Sequence, residues 1–144
     1  MSSENEYITS AGYPSIEAYM HLRQISGLSP KTREQAEPVP ANSWYGVIIT
    51  HQPSGEVIGM GRIIGDGGWY FHIADMAVHP DHQRKGLGKI IINNLLNEIK
   101  ERVPASPYIS LLADPPGRKL YANNGFVETA PNSLGMVYKY TATE

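Results

Sequence analysis

The chain has 144 residues, 41% of them apolar, and a net charge of −2. That fits one domain with a real hydrophobic core and offers no field to draw nucleic acid or an anionic membrane. The absence of cysteine excludes disulfides, thiolate metal sites and a cysteine nucleophile. No apolar stretch approaches the ~20 residues that span a bilayer. MSSENEYITS has neither the basic start nor the apolar run of a secretory signal, so a soluble cytoplasmic protein is expected.

Residues 1–6 are polar and read as a frayed, disordered start. Ser15 is placed to cap a helix carrying Ile16, Tyr19, Met20, Leu22, Arg23 and Ile25 at helical spacing, which Gly27 ends. Ser29-Pro30 looks like a second helix start, leading into a short exposed helix that Pro38 and Pro40 close. Trp44–Ile49 and Val57–Ile64 are aromatic and β-branched, and Gln52-Pro53-Ser54-Gly55 between them predicts a hairpin. Asp66-Gly67-Gly68 makes a second turn before a strand from Trp69 to Val78. Leu87, Ile90, Ile91, Leu95 and Ile99 then define an amphipathic helix to Arg102. Tyr108–Ala113 reads as a buried strand, and a short helix from Pro115 ends at Asn124-Gly125. Phe126-Val127 and Met136–Tyr140 are expected as final strands. The order predicts a mixed α/β (α+β-like) fold of one domain over residues 1–144 and disfavours a doubly wound parallel sheet.

The stretch Val78-His79-Pro80-Asp81-His82-Gln83-Arg84-Lys85-Gly86-Leu87-Gly88-Lys89 lies between a strand and the strongest helix. A helix N-terminus there aims unpaired backbone N–H groups at an anion. Gly86 and Gly88 allow close approach of the backbone, and Arg84, Lys85 and Lys89 add positive charge. A plain turn with solvated basic residues would look similar. Neither G-x-x-x-x-G-K-[ST] nor G-x-G-x-x-G is present.

Gln83, Gly86 and Gly88 match [RQ]-x-x-G-x-[GA], and the segment resembles the acyl-CoA-binding motif of the GNAT acetyltransferases. Ala74 to Pro80 is similar to that family's fourth strand, and Leu120-Tyr121 with Gly125-Phe126 is similar to its LYxxxGF signature. The three motifs fall in the family's order across roughly residues 44–140. The resemblance implies a mostly antiparallel sheet flanked by helices and splayed at a central parallel strand pair. Met76, Ala77 and Val78 would then pair with the pantetheine arm of acetyl-CoA, and Gln83, Arg84, Lys85, Gly86, Leu87, Gly88 and Lys89 would hold its diphosphate. Asp114 departs from the asparagine that many members carry.

Acetyl transfer to an amine needs a neutral nucleophile and a proton for the departing thiolate. A lysine-like amine of pKa ~10.4 is neutral in only ~1 molecule in 10³ at pH 7, a cost of ~4.6 kcal/mol. Tyr121, with a phenol pKa of ~10, suits the acid, and the resemblance puts this tyrosine near the sulfur. His72 and Asp75 are the candidate bases. Three apart on a regular strand they point to opposite faces, so one reaches the site unless a bulge intervenes. His79 and His82 read as loop polarity, with no third ligand at convincing spacing, and no metal is expected.

Tyr13, Tyr19, Arg23, Leu28 and Ser29 could line the acceptor side for an arylalkylamine or polyamine, although their spacing equally fits a core. Gly59-Met60-Gly61-Arg62 and Gly65-Asp66-Gly67-Gly68 bring backbone close to something, and tight turns explain them without a substrate. A small-molecule amine is the expected acceptor. A lysine or N-terminal peptide substrate and a non-catalytic CoA-binding module are the alternatives, and a homodimer is expected from exposed strand edges.

Overall fold

The computed structural model describes residues 6–140, and the chain divides into two compact units, residues 1–111 and 112–144. The frayed start therefore lies outside the described residues, except for Glu6, whose carbonyl accepts from the Gln52 amide at 2.7 Å. No helix among the described residues is long and apolar enough to cross a membrane.

The first unit is built on a sheet of β1 (Tyr7–Ala11), β2 (Tyr45–His51), β3 (Glu56–Gly65), β4 (Tyr70–Val78) and β5 (Tyr108–Ser110), in that spatial order. β1 to β4 pair antiparallel, and β4 pairs parallel with β5. The β2–β3 hairpin and β4 follow the expected turns. β1 was not expected, because five residues ending at Ala11, just before Gly12, carry too little alternation to stand out. β5 stops at Ser110, short of Ala113. It is the last strand of the sheet among the described residues, so the parallel pair sits at one end and not at the centre.

Four helices accompany the sheet: α1 (Ile16–Ile25), α2 (Arg33–Ala36), α3 (Val39–Asn42) and α4 (Leu87–Arg102). Ser15 caps α1 as expected, its Oγ accepting from the Ala18 amide at 3.1 Å. The cap of α2 is Thr32 and not Ser29. Thr32 and Gln35 form a reciprocal capping box, which satisfies two N-terminal groups at once. Pro38 and Pro40 do not simply close that helix, since they open α3, where their missing N–H groups cost nothing.

The α4 stripe of Ile91, Ile92, Leu95 and Ile99 is wholly buried. It packs on the sheet face that carries Val47, Ile49, Ile63, Phe71 and Ile73, each worth about 1.5–3 kcal/mol of apolar burial. Gly59–Arg62 is the middle of β3, within the strand expected from Val57 to Ile64, and makes a close backbone approach rather than a tight turn. A Cβ at Gly61 would lie 2.7 Å from Ile91 Cγ2 and 2.8 Å from Met76 Sδ, so glycine is what lets α4 approach. On the opposite face Tyr19, Leu22 and Ala36 pack with Met60 and Ala77.

In the second unit, a short 3-10 turn (Pro115–Gly117) leads into α5 (Arg118–Asn123). Gly125 adopts a left-handed φ of 96° just past its end. Phe126-Val127 and Met136–Tyr140 do not form strands. Val127 and Met136 are 86% and 90% exposed. Alternation and β-branching favour a strand only where a sheet supplies the ladder, and the five-stranded sheet of the described residues ends with β5 and includes neither segment.

Candidate functional site

The junction between β4 and α4 has the features of an anion site. Arg84 and Gly86 both take left-handed backbone conformations, at φ 64° and 78°. Such reversals turn backbone N–H groups inward into a concavity. Gly86 is the N-cap of α4 and contributes no capping side chain, so the amides of the first turn, Leu87 to Lys89, are left for another acceptor. Arg84, Lys85 and Lys89 are exposed around it. The Gln83 side chain donates to the Val78 carbonyl at 3.0 Å and ties the loop to the end of β4.

The strand leading into that loop has an open edge. β5 pairs with Tyr70, Phe71 and His72 only. Beyond His72, Met76, Ala77 and Val78 have no strand partner on that side among the described residues. They are held from the other side, Ala77 opposite Met60 and Val78 opposite Gly59. An extended ligand could add there as a strand does.

A bulge does intervene between the two candidate bases. Met60 pairs with Ala77 but Arg62 pairs with Ala74, so Asp75 and Met76 together oppose Gly61. Asp75 absorbs the extra residue at φ 56°, a conformation aspartate tolerates better than most residues. The bulge shifts the alternation by one. His72, opposite Ile64, and Asp75, which reaches Arg62, therefore share the sheet face that packs against α1.

Asp75 is enclosed by donors. The Tyr19 hydroxyl donates to Oδ2 at 2.5 Å, Arg62 Nε donates to Oδ2 at 2.6 Å, and Arg23 Nη1 donates to Oδ1. Burial alone would raise its pKa, yet the hydrogen bonds from Tyr19 and Arg62 and the two guanidinium charges outweigh it and hold the carboxyl below its ordinary value. Tyr19 is pushed up to about 12 by burial and by its bond to Asp75. Arg23 is anchored by Ser29, whose carbonyl accepts from Nε at 3.0 Å and from Nη2 at 2.8 Å. Arg23 Nη2 also donates to Ser29 Oγ at 3.1 Å, which engages the side-chain oxygen that a cap would use. Arg62 was missed from the sequence, although a lone arginine between Met60 and Ile64 on a strand calls for a buried acid nearby.

His72 Nδ1 lies 2.9 Å from Ser110 Oγ on β5. Half-burial lowers its pKa, so the ring is neutral at pH 7. Tyr121 belongs to the second unit, where its ring meets Phe126 at 6.0 Å. Burial, then the charge of Asp114, raises its pKa. His82 Nδ1 lies 2.7 Å from the Tyr7 hydroxyl, which ties the loop to β1. His21, Glu56 and His79 bring possible ligand atoms within 4.8 Å of one another. His79 Nδ1 already accepts from the Asp81 amide at 3.0 Å, which leaves the ring proton on Nε2 and no second lone pair for a cation.

Tyr13, Pro14, Tyr19, Met60, Gly61, Arg62 and Asp75 line a shallow, mostly apolar depression on the α1 face, with room for about one water molecule. Tyr19 and Arg23, weighed from the sequence as either acceptor contacts or core, are buried. Tyr19 both packs in the core cluster and lines the depression.

Residues 42–128 match the family model described as an acetyltransferase (GNAT) domain. A crystal structure from meticillin-resistant Staphylococcus aureus, described as a protein of unknown function and probable acetyltransferase, is 41% identical with a TM-score of 0.87. That alignment covers 93% of this chain and 99% of the other. The GNAT family protein SP0256 from Streptococcus pneumoniae shares the fold at 22% identity, with a TM-score of 0.77 over 93% of this chain and 98% of that one. An uncharacterized N-acetyltransferase, ycf52, from Pyropia yezoensis is 30% identical over 58% of this chain and 47% of its own length. The chain thus spans about half the length of the first curated relatives it matches.

Proposed function

The chain belongs to the GNAT acetyltransferase family, and from that premise we propose that it moves the acetyl group of acetyl-CoA to a primary amine of a small molecule. The observation that carries this reading is the β4–α4 junction, with its two left-handed residues, uncapped helix start and exposed cations. Gln83 to Lys89 would hold the diphosphate, and the open edge at Met76, Ala77 and Val78 would take the pantetheine arm. Acetyl-CoA supplies the activated acyl group as a thioester. The family match runs from residue 42 to residue 128, across the boundary between the two compact units, which supports reading them as one catalytic domain. A cytoplasmic setting and a homodimer, the latter supported by β1 as an end strand of the sheet, complete the proposal.

The chain's own residues divide the proton work. His72 is the base: with Nδ1–H donating to Ser110, Nε2 presents a lone pair, and burial keeps the ring neutral. Asp75, saturated by three donors and held ionised, instead fixes the α1 face beside the base. Tyr121 is the acid, since its raised pKa keeps the phenol protonated until a thiolate forms.

Tyr121→Phe tests the reading. Turnover, measured by thiol release, is expected to fall about 10²-fold or more, with acetyl-CoA affinity within a few-fold. Undiminished turnover removes Tyr121 from the mechanism. The base has its own signature. His72 must be neutral, and its folded pKa lies below 6.5, so kcat should fall only as pH drops through that lower value. His72→Gln should lack this limb, and an unchanged profile would exclude His72.

A further inference from the structure

The loop ahead of α4 holds a backbone that its own sequence does not favour. Arg84 takes a φ of 64°, a region that long side chains rarely adopt and that persists only where the surroundings hold it. Gly86 makes its own left-handed turn freely. The hydrogen bonds that shape the loop before Arg84 are local. The Asp81 amide donates to His79 Nδ1 at 3.0 Å, the His82 amide to the His79 carbonyl at 2.9 Å, and the Gln83 side chain to the Val78 carbonyl at 3.0 Å. None of these reaches past Gln83.

Tyr7, 75 residues before His82 in the chain, meets the loop on both sides of Arg84. Its hydroxyl lies 2.7 Å from His82 Nδ1. The Lys85 ammonium stands 6.0 Å from the centre of its ring, at the reach of a cation–π contact. A phenol and a neutral imidazole can each donate or accept, so the Tyr7–His82 bond forms in either tautomer. His51 packs beside them, its ring centre 4.7 Å from that of His82 and 5.5 Å from that of Tyr7. Tyr7 also pairs with His51 in the β1–β2 ladder. The contact on the loop is therefore anchored in the sheet, outside the loop itself.

We propose that Tyr7 is a positioning residue for acetyl-CoA binding: through His82 and Lys85 it holds Arg84 in its left-handed turn and keeps the first amides of α4 aimed at the diphosphate. The inference rests on the reading of this loop as the acetyl-CoA site. It adds to that site a strand that lies outside residues 42–128, the span of the family match. A loop that leaves the competent turn for part of the time binds with an affinity reduced by that fraction. Losing the hold thus weakens binding and leaves the chemical step alone.

Tyr7→Phe removes the hydroxyl and keeps the ring. Calorimetric titration should show the dissociation constant for acetyl-CoA rising about three- to tenfold, as the loss of one hydrogen bond allows. At saturating acetyl-CoA, kcat should stay within about twofold. His82→Phe should weaken binding to a similar degree, and carries the test if Tyr7→Phe does not fold. The two together should cost little more than either alone, since both remove the same contact. A lower melting temperature with an unchanged dissociation constant would mean that Tyr7 serves stability only, and overturns the inference. Fully additive losses in the double variant overturn it as well. If the unaltered protein does not bind acetyl-CoA, the reading of the loop fails separately. The hold on Arg84 is then decided in the free protein, where the backbone amide resonances of Arg84 to Gly86 should move in Tyr7→Phe. Unmoved resonances overturn it.

Discussion

Asp75→Ala is expected to lower the unfolding free energy by about 3–5 kcal/mol, the cost of leaving buried charges without their partner. The Asp75 side chain is 6% exposed and those of Arg23 and Arg62 are 10% and 18% exposed, so little water could replace the lost carboxylate. Alanine would also occupy the left-handed conformation at φ 56°, adding about 1–2 kcal/mol of strain. Asp75→Asn keeps an acceptor for Tyr19 and a residue suited to that backbone, and should lose distinctly less. The same linkage sets a pH dependence. The folded pKa lies below the ordinary 3.8, so the contribution is fully present above the unfolded value and is lost as pH falls through the folded one. Urea unfolding of the unaltered protein and both variants between pH 2.5 and 7, on the order of the ordinary carboxyl range, checks the sign. A loss under 1 kcal/mol, roughly that of an exposed pair, would mean that the cluster is solvated.

Gly86→Glu separates folding from binding. A Cβ at Gly86 meets nothing within 4 Å, so the chain can accommodate it. The left-handed φ of 78° costs about 1–2 kcal/mol, which the favourable placement of a carboxylate at a helix N-terminus partly offsets. Affinity for acetyl-CoA should nevertheless fall by about 10³-fold or more, because the new carboxylate takes up the first-turn amides and repels a diphosphate. Calorimetry with acetyl-CoA, alongside thermal unfolding of the same variant, measures both. Unchanged affinity would exclude this loop.

The parts of this molecule legible in its sequence are those that local chemistry decides. Gln52–Gly55 and Asp66–Gly68 announced their turns, Ser15 its cap, and the spacing from Leu87 to Ile99 its helix. The misreadings share a different cause, since each depends on something distant in the chain. Gly59–Arg62 showed a close backbone approach within a strand but not what it approaches, because its two glycines answer to Ile91 and Met76 and not to their neighbours. Ser29 looked like a cap, but Arg23 holds its hydroxyl and its carbonyl alike. His72 and Asp75 share a face only because β4 gains a residue against β3, which no pattern within β4 reveals. Arg62 was passed over although the alternation of β3 points it inward, the one missed residue that closer reading of the strand could have found.

The amides that open α4 carry the proposed binding of acetyl-CoA. Titrating the protein with acetyl-CoA while following each backbone amide by NMR tests it directly. Saturable shifts concentrated at Met76 to Val78 and Gln83 to Lys89, largest at Gly86 to Lys89, are the predicted result. Saturable binding that leaves those amides unmoved, or no binding at all, would contradict it.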